Sequence, residues 1–138
     1  MRALIQRVTE ASVEVEGRTV SGIGPGMLVL LGVKKGDTEA EAEKLAARLL
    51  KLRMFNDETG RMNEPAGDRE ILCISQFTLY GDTGKGNRPS WIDAAGGEAA
   101  ERLYDLVCEK LGASRGIFGA DMKVKLVNDG PVTLLLET

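Results

Sequence analysis

The chain has 138 residues, 43% of them hydrophobic and 28% charged, an ordinary balance for one globular domain spanning 1–138. A net charge of −3 argues against nucleic-acid binding through a whole-surface field and leaves only a local basic patch for that purpose. The count of zero histidines excludes every Ser-His and Cys-His arrangement and removes the usual transition-metal ligands.

In the opening Met1-Arg2-Ala3-Leu4-Ile5-Gln6-Arg7, a second charge arrives before any apolar run develops, unlike an export leader. The longest apolar stretch, Met27 to Leu31, falls far short of the roughly 20 residues that cross a bilayer. The reading is a cytoplasmic protein with no membrane association. Cys73 and Cys108 lack CxxC spacing and read as two buried, reduced thiols.

Along the chain, Arg2 to Val8 and Ala11 to Glu16 alternate as strands. Gly17-Arg18 turns into a third strand, Thr19 to Ile23. Gly24-Pro25-Gly26 then precedes a buried strand, Met27 to Val33. Asp37-Thr38-Glu39 opens a helix whose apolar positions Ala42, Leu45, Ala46, Leu49 and Leu52 recur to about Arg53. Residues 56–67 read as loop, and Glu70 to Ser75 as a strand that Gln76 to Tyr80 continues or bends. Residues 81–87 read as an exposed loop, and Glu98 to Leu111 as a second helix. Two last strands, Met122 to Val127 and Val132 to Leu136, flank Asn128-Asp129-Gly130-Pro131. The class is α+β, an antiparallel sheet with two packed helices.

Three tracts could carry chemistry. Ser75-Gln76-Phe77-Thr78-Leu79-Tyr80 ends an apolar strand in polar groups. Read from the residues alone, it is a strand with Ser, Gln and Thr towards solvent and Phe77 and Leu79 towards the core. Asn128-Asp129-Gly130-Pro131-Val132-Thr133 reads in the same way as a hairpin turn with a trans proline. Lys85, Arg88 and Arg115 near Trp91 suit a base and its phosphates, or are solvated surface.

Together, Ser75 to Tyr80, Arg88-Pro89-Ser90, Phe118-Gly119-Ala120-Asp121-Met122 and the terminal Asn128 to Leu136 resemble the D-aminoacyl-tRNA deacylase family, in the same order. The opening agrees, with Gln6-Arg7-Val8, Ala11-Ser12-Val13 and Gly22 to Gly26, so the resemblance covers nearly the whole chain. Two places depart from the family pattern. Residues 64–69 are shorter and more polar than its usual loop, and Trp91 stands where phenylalanine is common.

The resemblance implies a barrel-like sheet, a homodimer with sites at the subunit interface, and hydrolysis of the ester joining D-amino acids (and glycine) to tRNA. Carried over by motif, Ser75, Gln76, Phe77 and Thr78 line the aminoacyl pocket, and Phe118 and Met122 hold the adenine. Arg7 braces Gly130-Pro131, expected as a cis peptide that enters the neighbouring subunit's pocket. The partner is the aminoacylated 3′ end of tRNA; no cofactor, metal or DNA is expected.

Physical chemistry narrows the mechanism. A threonine hydroxyl needs an adjacent base to attack an ester, and no histidine exists to supply one. Backbone N–H groups near Phe77 and Thr78, with the substrate's own ribose 2′-hydroxyl activating water, form the preferred route; a Thr78 nucleophile is its rival. A non-catalytic RNA-binding module and a metabolite-binding homo-oligomer are the alternatives outside catalysis.

Overall fold

The computed structural model describes all residues, Met1–Thr138. Eight strands, two helices and one 3₁₀ turn follow in the order β1 (Arg2–Val15), β2 (Arg18–Ile23), β3 (Gly26–Gly32), α1 (Glu39–Lys51), β4 (Phe55–Asn56), β5 (Met62–Glu64), β6 (Glu70–Ser75), the turn Phe77–Tyr80, α2 (Gly97–Leu111), β7 (Ser114–Arg115) and β8 (Lys123–Glu137). The main sheet runs β2-β1-β3-β6-β7, with β8 added along β1. Ser21 Oγ of β2 donates to Arg115 O of β7 at 2.6 Å, tying the two ends of that order and curling the sheet towards a barrel. No helix is long and apolar enough to cross a membrane.

The sheet is mixed. β1 pairs antiparallel with β2, β3 and β8, whereas β3–β6 and β6–β7 are parallel. α1 lies between the first parallel pair in sequence and α2 between the second, because parallel neighbours need a crossover long enough to return the chain to the same end. The expectation of an antiparallel sheet thus holds for β1 and its neighbours, and the helical crossovers add the parallel half. Gly26 is required at the start of β3, since a Cβ there would lie 1.9 Å from Glu70 O of β6.

Alternate residues of β3 serve opposite cores. Met27, Val29 and Leu31 join the larger cluster beneath the helices, and Leu28 joins the smaller one on the other face. Burial on both faces explains the unbroken apolar run. β6 divides likewise, with Ile71 and Cys73 on one side and Leu72 and Ile74 on the other. α1 lays Ala42, Leu45, Ala46 and Leu49 on the larger core, and its first turn is closed by Thr38 N–H donating to Glu41 Oε2 at 2.6 Å.

Four local expectations are corrected. Arg2–Val8 and Ala11–Glu16 are one strand, β1, held in one piece by β8 along its length. Residues 56–67 include the β4–β5 pairing, closed by an Asp57 side chain that accepts from the Thr59 and Arg61 amides. Gln76 to Tyr80 does not continue β6 but winds into a 3₁₀ turn. The last two strands do not form a hairpin: both pair with β1, so β8 is continuous.

Candidate functional site

β6 ends at Ser75, Gln76 N–H bonds Leu31 O at 2.7 Å, and the chain then tightens into the 3₁₀ turn. The first bond of that turn is Leu79 N–H to Gln76 O, 3.2 Å. The amides of Phe77 and Thr78 precede it and take no part in the turn's own bonding, so they are available to an oxygen outside it. Tyr80 anchors the turn in the protein. Phe77 is carried outward, 54% exposed, contrary to the core position that alternation gives it.

Arg2 fastens the turn from beneath. Its Nη1 donates to Leu79 O at 2.8 Å, its guanidinium lies 4.7 Å from the centre of the Tyr80 ring, and its Nε meets Glu137 Oε1 at 2.5 Å. In sequence Arg2 is merely the first charge of the chain, and nothing local marks it for this task.

Beside the turn opens a cavity of about 370 Å³, lined by Ser75, Gln76, Phe77, Trp91, Tyr104 and Phe118 among others. Phe77 and Trp91 meet edge to face, 5.5 Å between ring centres, at its rim. Phe118 tilts against Tyr104 at 5.8 Å, and Tyr104 is fixed by donating its hydroxyl to Cys73 O at 2.9 Å. Gly81 ends the turn where a Cβ would stand 2.5 Å from the Trp91 ring, so this position has room only for glycine while Trp91 is in place.

Thr78 is exposed and does not line the cavity. Its hydroxyl accepts from the Gln76 side-chain amide, a group that cannot act as a base. Met122 is also absent from the lining. It sits over Gly116 and packs on the smaller core, so the structure puts Phe118 and Met122 in different surroundings. Arg115 is committed to Asp105 at 3.0 Å, leaving Lys85 and Arg88 as the exposed cations of the loop that the Asp82–Ser90 bridge closes.

A second constellation lies across the sheet. From Gln6 to Val8, β1 advances two residues while β8 advances five, from Asn128 to Thr133, so three extra residues of β8 are extruded as a bulge. That bulge contains the cis peptide Gly130-Pro131, and both residues are exposed. Arg7, the one buried charged residue, underlies it: Nε donates to Asp129 O at 3.2 Å, and Nη1 to Met54 O and Asn56 Oδ1, both at 3.1 Å. Asn128 closes the bulge from the other side, its amide donating to Arg7 O at 2.9 Å and Val132 O at 3.1 Å. Sequence reasoning passed over Asn128, although an Asn before Asp-Gly-Pro is the type of residue that satisfies turn backbone.

The two cysteines are free and buried. Hydrogen bonding to the Cys108 thiol and burial together push the Cys73 thiol well up, as expected for a structural thiol and not for a nucleophile.

Comparison with known proteins places this architecture. Residues 4–137 match the family model D-Tyr-tRNA(Tyr) deacylase. The D-aminoacyl-tRNA deacylase of Myxococcus xanthus is 57% identical over 145 residues, spanning 100% of this chain and 95% of the relative. That of Geobacter sulfurreducens is 54% identical with the same coverage. Among solved structures, the c-Myc DNA Unwinding Element Binding Protein superposes with a TM-score of 0.94 at 43% identity, covering 100% of this chain and 99% of the other. A probable eukaryotic D-amino acid tRNA deacylase gives 0.83 at 16% identity, covering 98% and 97%, a likeness of fold alone. The chain belongs to the D-Tyr-tRNA(Tyr) deacylase family.

Proposed function

We propose that this deacylase hydrolyses the ester of D-aminoacyl-tRNA, and of glycyl-tRNA, releasing free tRNA and amino acid. The observation that carries the reading is the pair of amides at Phe77 and Thr78, outside the turn's own bonding and beside an aromatic-lined cavity. Such amides suit the oxyanion that forms when water adds to the ester carbonyl. Because Thr78 contacts only an amide, the water is activated by the substrate's ribose 2′-hydroxyl, which takes its proton and passes one on to the ribose oxygen that leaves as the tetrahedral species collapses. Ser75 and Gln76 line the aminoacyl side of the cavity and Phe118 offers its ring to the adenine; Met122 supports that end from the neighbouring core.

The Gly130-Pro131 bulge supplies the chirality filter from a second copy of the chain. Within one chain the bulge is opposite Arg7 while the 3₁₀ turn is fastened at Arg2, five residues and roughly 17 Å away along β1. A site using both therefore needs a homodimer, and the exposed Val127 and Leu134 on either side of the bulge give it apolar surface to bury. A backbone wedge with no side chain to fit excludes an L side chain on steric grounds, and passes D-residues and glycine alike.

The test is deacylation of D-tyrosyl-tRNA beside L-tyrosyl-tRNA, and of D-tyrosyl-tRNA ending in 2′-deoxyadenosine. Rapid loss of the D-ester only, slowed several orders of magnitude by the deoxy terminus, is expected. Binding without ester loss would leave an RNA-binding module instead, and normal turnover of the deoxy substrate would overturn the substrate-assisted route.

A further inference from the structure

Away from the cavity, the outer face of α1 carries a groove of about 430 Å³ in which four of seven lining residues are cations, Lys44, Arg48, Lys51 and Arg53. No carboxylate lines it. Lys44, Arg48 and Lys51 follow i, i+4, i+7 spacing and so share one helix face. None of the four enters an ion pair, whereas Arg102 and Lys110 of α2 are paired with Glu39 and Glu43 of α1. Arg48 and Arg53 are instead held by carbonyl oxygens, donating to Glu137 O at 2.5 Å and Asn63 O at 2.9 Å, which fixes their guanidinium groups and leaves their charge uncompensated. Cations in the last turn of a helix are favoured by its dipole, which accounts for Arg48 and Lys51 but not for Lys44 or for Arg53 beyond the helix end.

Contacts within the chain connect the groove to both tracts that contribute to the candidate site. At one end Arg48 bonds Glu137, whose carboxylate holds Arg2 and through it the Leu79 carbonyl. At the other, Arg53 precedes Met54, whose carbonyl accepts from Arg7 beneath the Gly130-Pro131 bulge. The 370 Å³ cavity holds no more than a terminal aminoacyl-nucleoside, so the rest of a tRNA must lie on the outer surface of a protein with net charge −3. That requires a local concentration of positive charge.

We infer that this groove takes phosphates of the tRNA acceptor stem, an inference that rests on the deacylase reading. Lys44 and Lys51 act as exposed point charges on the strand, with Arg48 and Arg53 as its fixed neighbours.

Lys44→Gln/Lys51→Gln tests it with uncharged tRNA as the probe, its Kd measured across a salt series. Loss of two phosphate contacts predicts a log–log salt slope shallower by about 1.5 and affinity lower on the order of tenfold. The ratio of kcat/KM on D-aminoacyl-tRNA to that on D-aminoacyl-adenosine, which is too short to reach the groove, falls in step. Unchanged slope and affinity would overturn the inference and leave a solvated helix face. Equal binding of a duplex DNA of stem length, equally weakened by the variant, would overturn it in favour of a DNA surface. Failure of the deacylase reading is separately visible, as intact D-aminoacyl-tRNA with the wild-type protein, while the binding arm still reports on the groove.

Discussion

Arg7 and Asp129 meet twice: Arg7 Nε donates to the Asp129 carbonyl at 3.2 Å and faces its carboxylate at 3.1 Å. The same guanidinium also holds Met54 O and Asn56 Oδ1, so one buried side chain ties the β8 bulge to the chain entering β4. Arg7→Ala should cost about 3 kcal/mol of stability, since buried carbonyls lose a charged donor. Arg7→Lys keeps the charge but not the planar fork, and should erode discrimination between D- and L-aminoacyl-tRNA more than it lowers Tm. Thermal melts beside D/L rate ratios check this; an unchanged ratio in both variants would show that the bulge holds its shape without Arg7.

Much of this arrangement was legible in the sequence, and the exceptions have physical causes. The apolar periodicity of α1 and α2 and the buried run of β3 follow directly from burial. The continuity of β1 and β8 did not, because each strand looks broken locally and is made whole only by pairing with the other. Residues 77–80 have strand-like alternation, yet the turn forms because Arg2, far away in sequence, supplies a donor for Leu79 O and a cation for the Tyr80 ring. Phe118 and Met122 are four apart and look equivalent, but no helix carries them, so they part to different surroundings.

That parting has a measurable consequence. Phe118→Ala should raise KM for D-aminoacyl-tRNA about tenfold with a modest fall in Tm, because its ring lines the cavity. Met122→Ala should act mainly on stability, costing about 2 kcal/mol and lowering Tm, through its packing on the smaller core. Melting curves and KM values for both variants decide it, and a matching KM increase in Met122→Ala would return that residue to the adenine pocket.

Thr78 gives a kinetic test of the chemistry. Thr78→Ala should retain deacylation within about tenfold of the wild type if backbone amides and the ribose hydroxyl do the work. A true nucleophile would survive Thr78→Ser and collapse by several orders of magnitude in the alanine variant. Single-turnover rates for the two variants separate these outcomes.

Tyr80 links the turn to pH. Burial, with Asp37 adding to it, pushes the Tyr80 hydroxyl up to about 12. Its folded value lies above the ordinary value of about 10, so folding favours the neutral phenol. The stabilisation is complete below about pH 10 and lost as pH rises towards 12. Tyr80→Phe should flatten the fall of Tm across that interval, and an equal fall in both proteins would place the alkaline sensitivity elsewhere.

The contact between Gly81 and Trp91 can be tested without reference to any substrate. A methyl group at Gly81 would lie 2.5 Å from the Trp91 ring, against backbone that the Gly81 N–H to Thr78 O bond holds at 3.0 Å. The ring is the part that must move, and its displacement would break the 5.5 Å edge-to-face contact with Phe77 at the cavity rim. Trp91 is the sole tryptophan, so the emission spectrum of the protein reports on this contact alone. Gly81→Ala should shift that emission to the red as the half-exposed indole swings into water, and should lower kcat/KM on D-aminoacyl-tRNA about tenfold. Reducing the ring relieves the clash, so Gly81→Ala/Trp91→Phe should recover most of the lost activity. If the single variant keeps wild-type emission, the ring is not pinned by Gly81; if the double variant is no better than the single, the damage lies in the backbone of the turn.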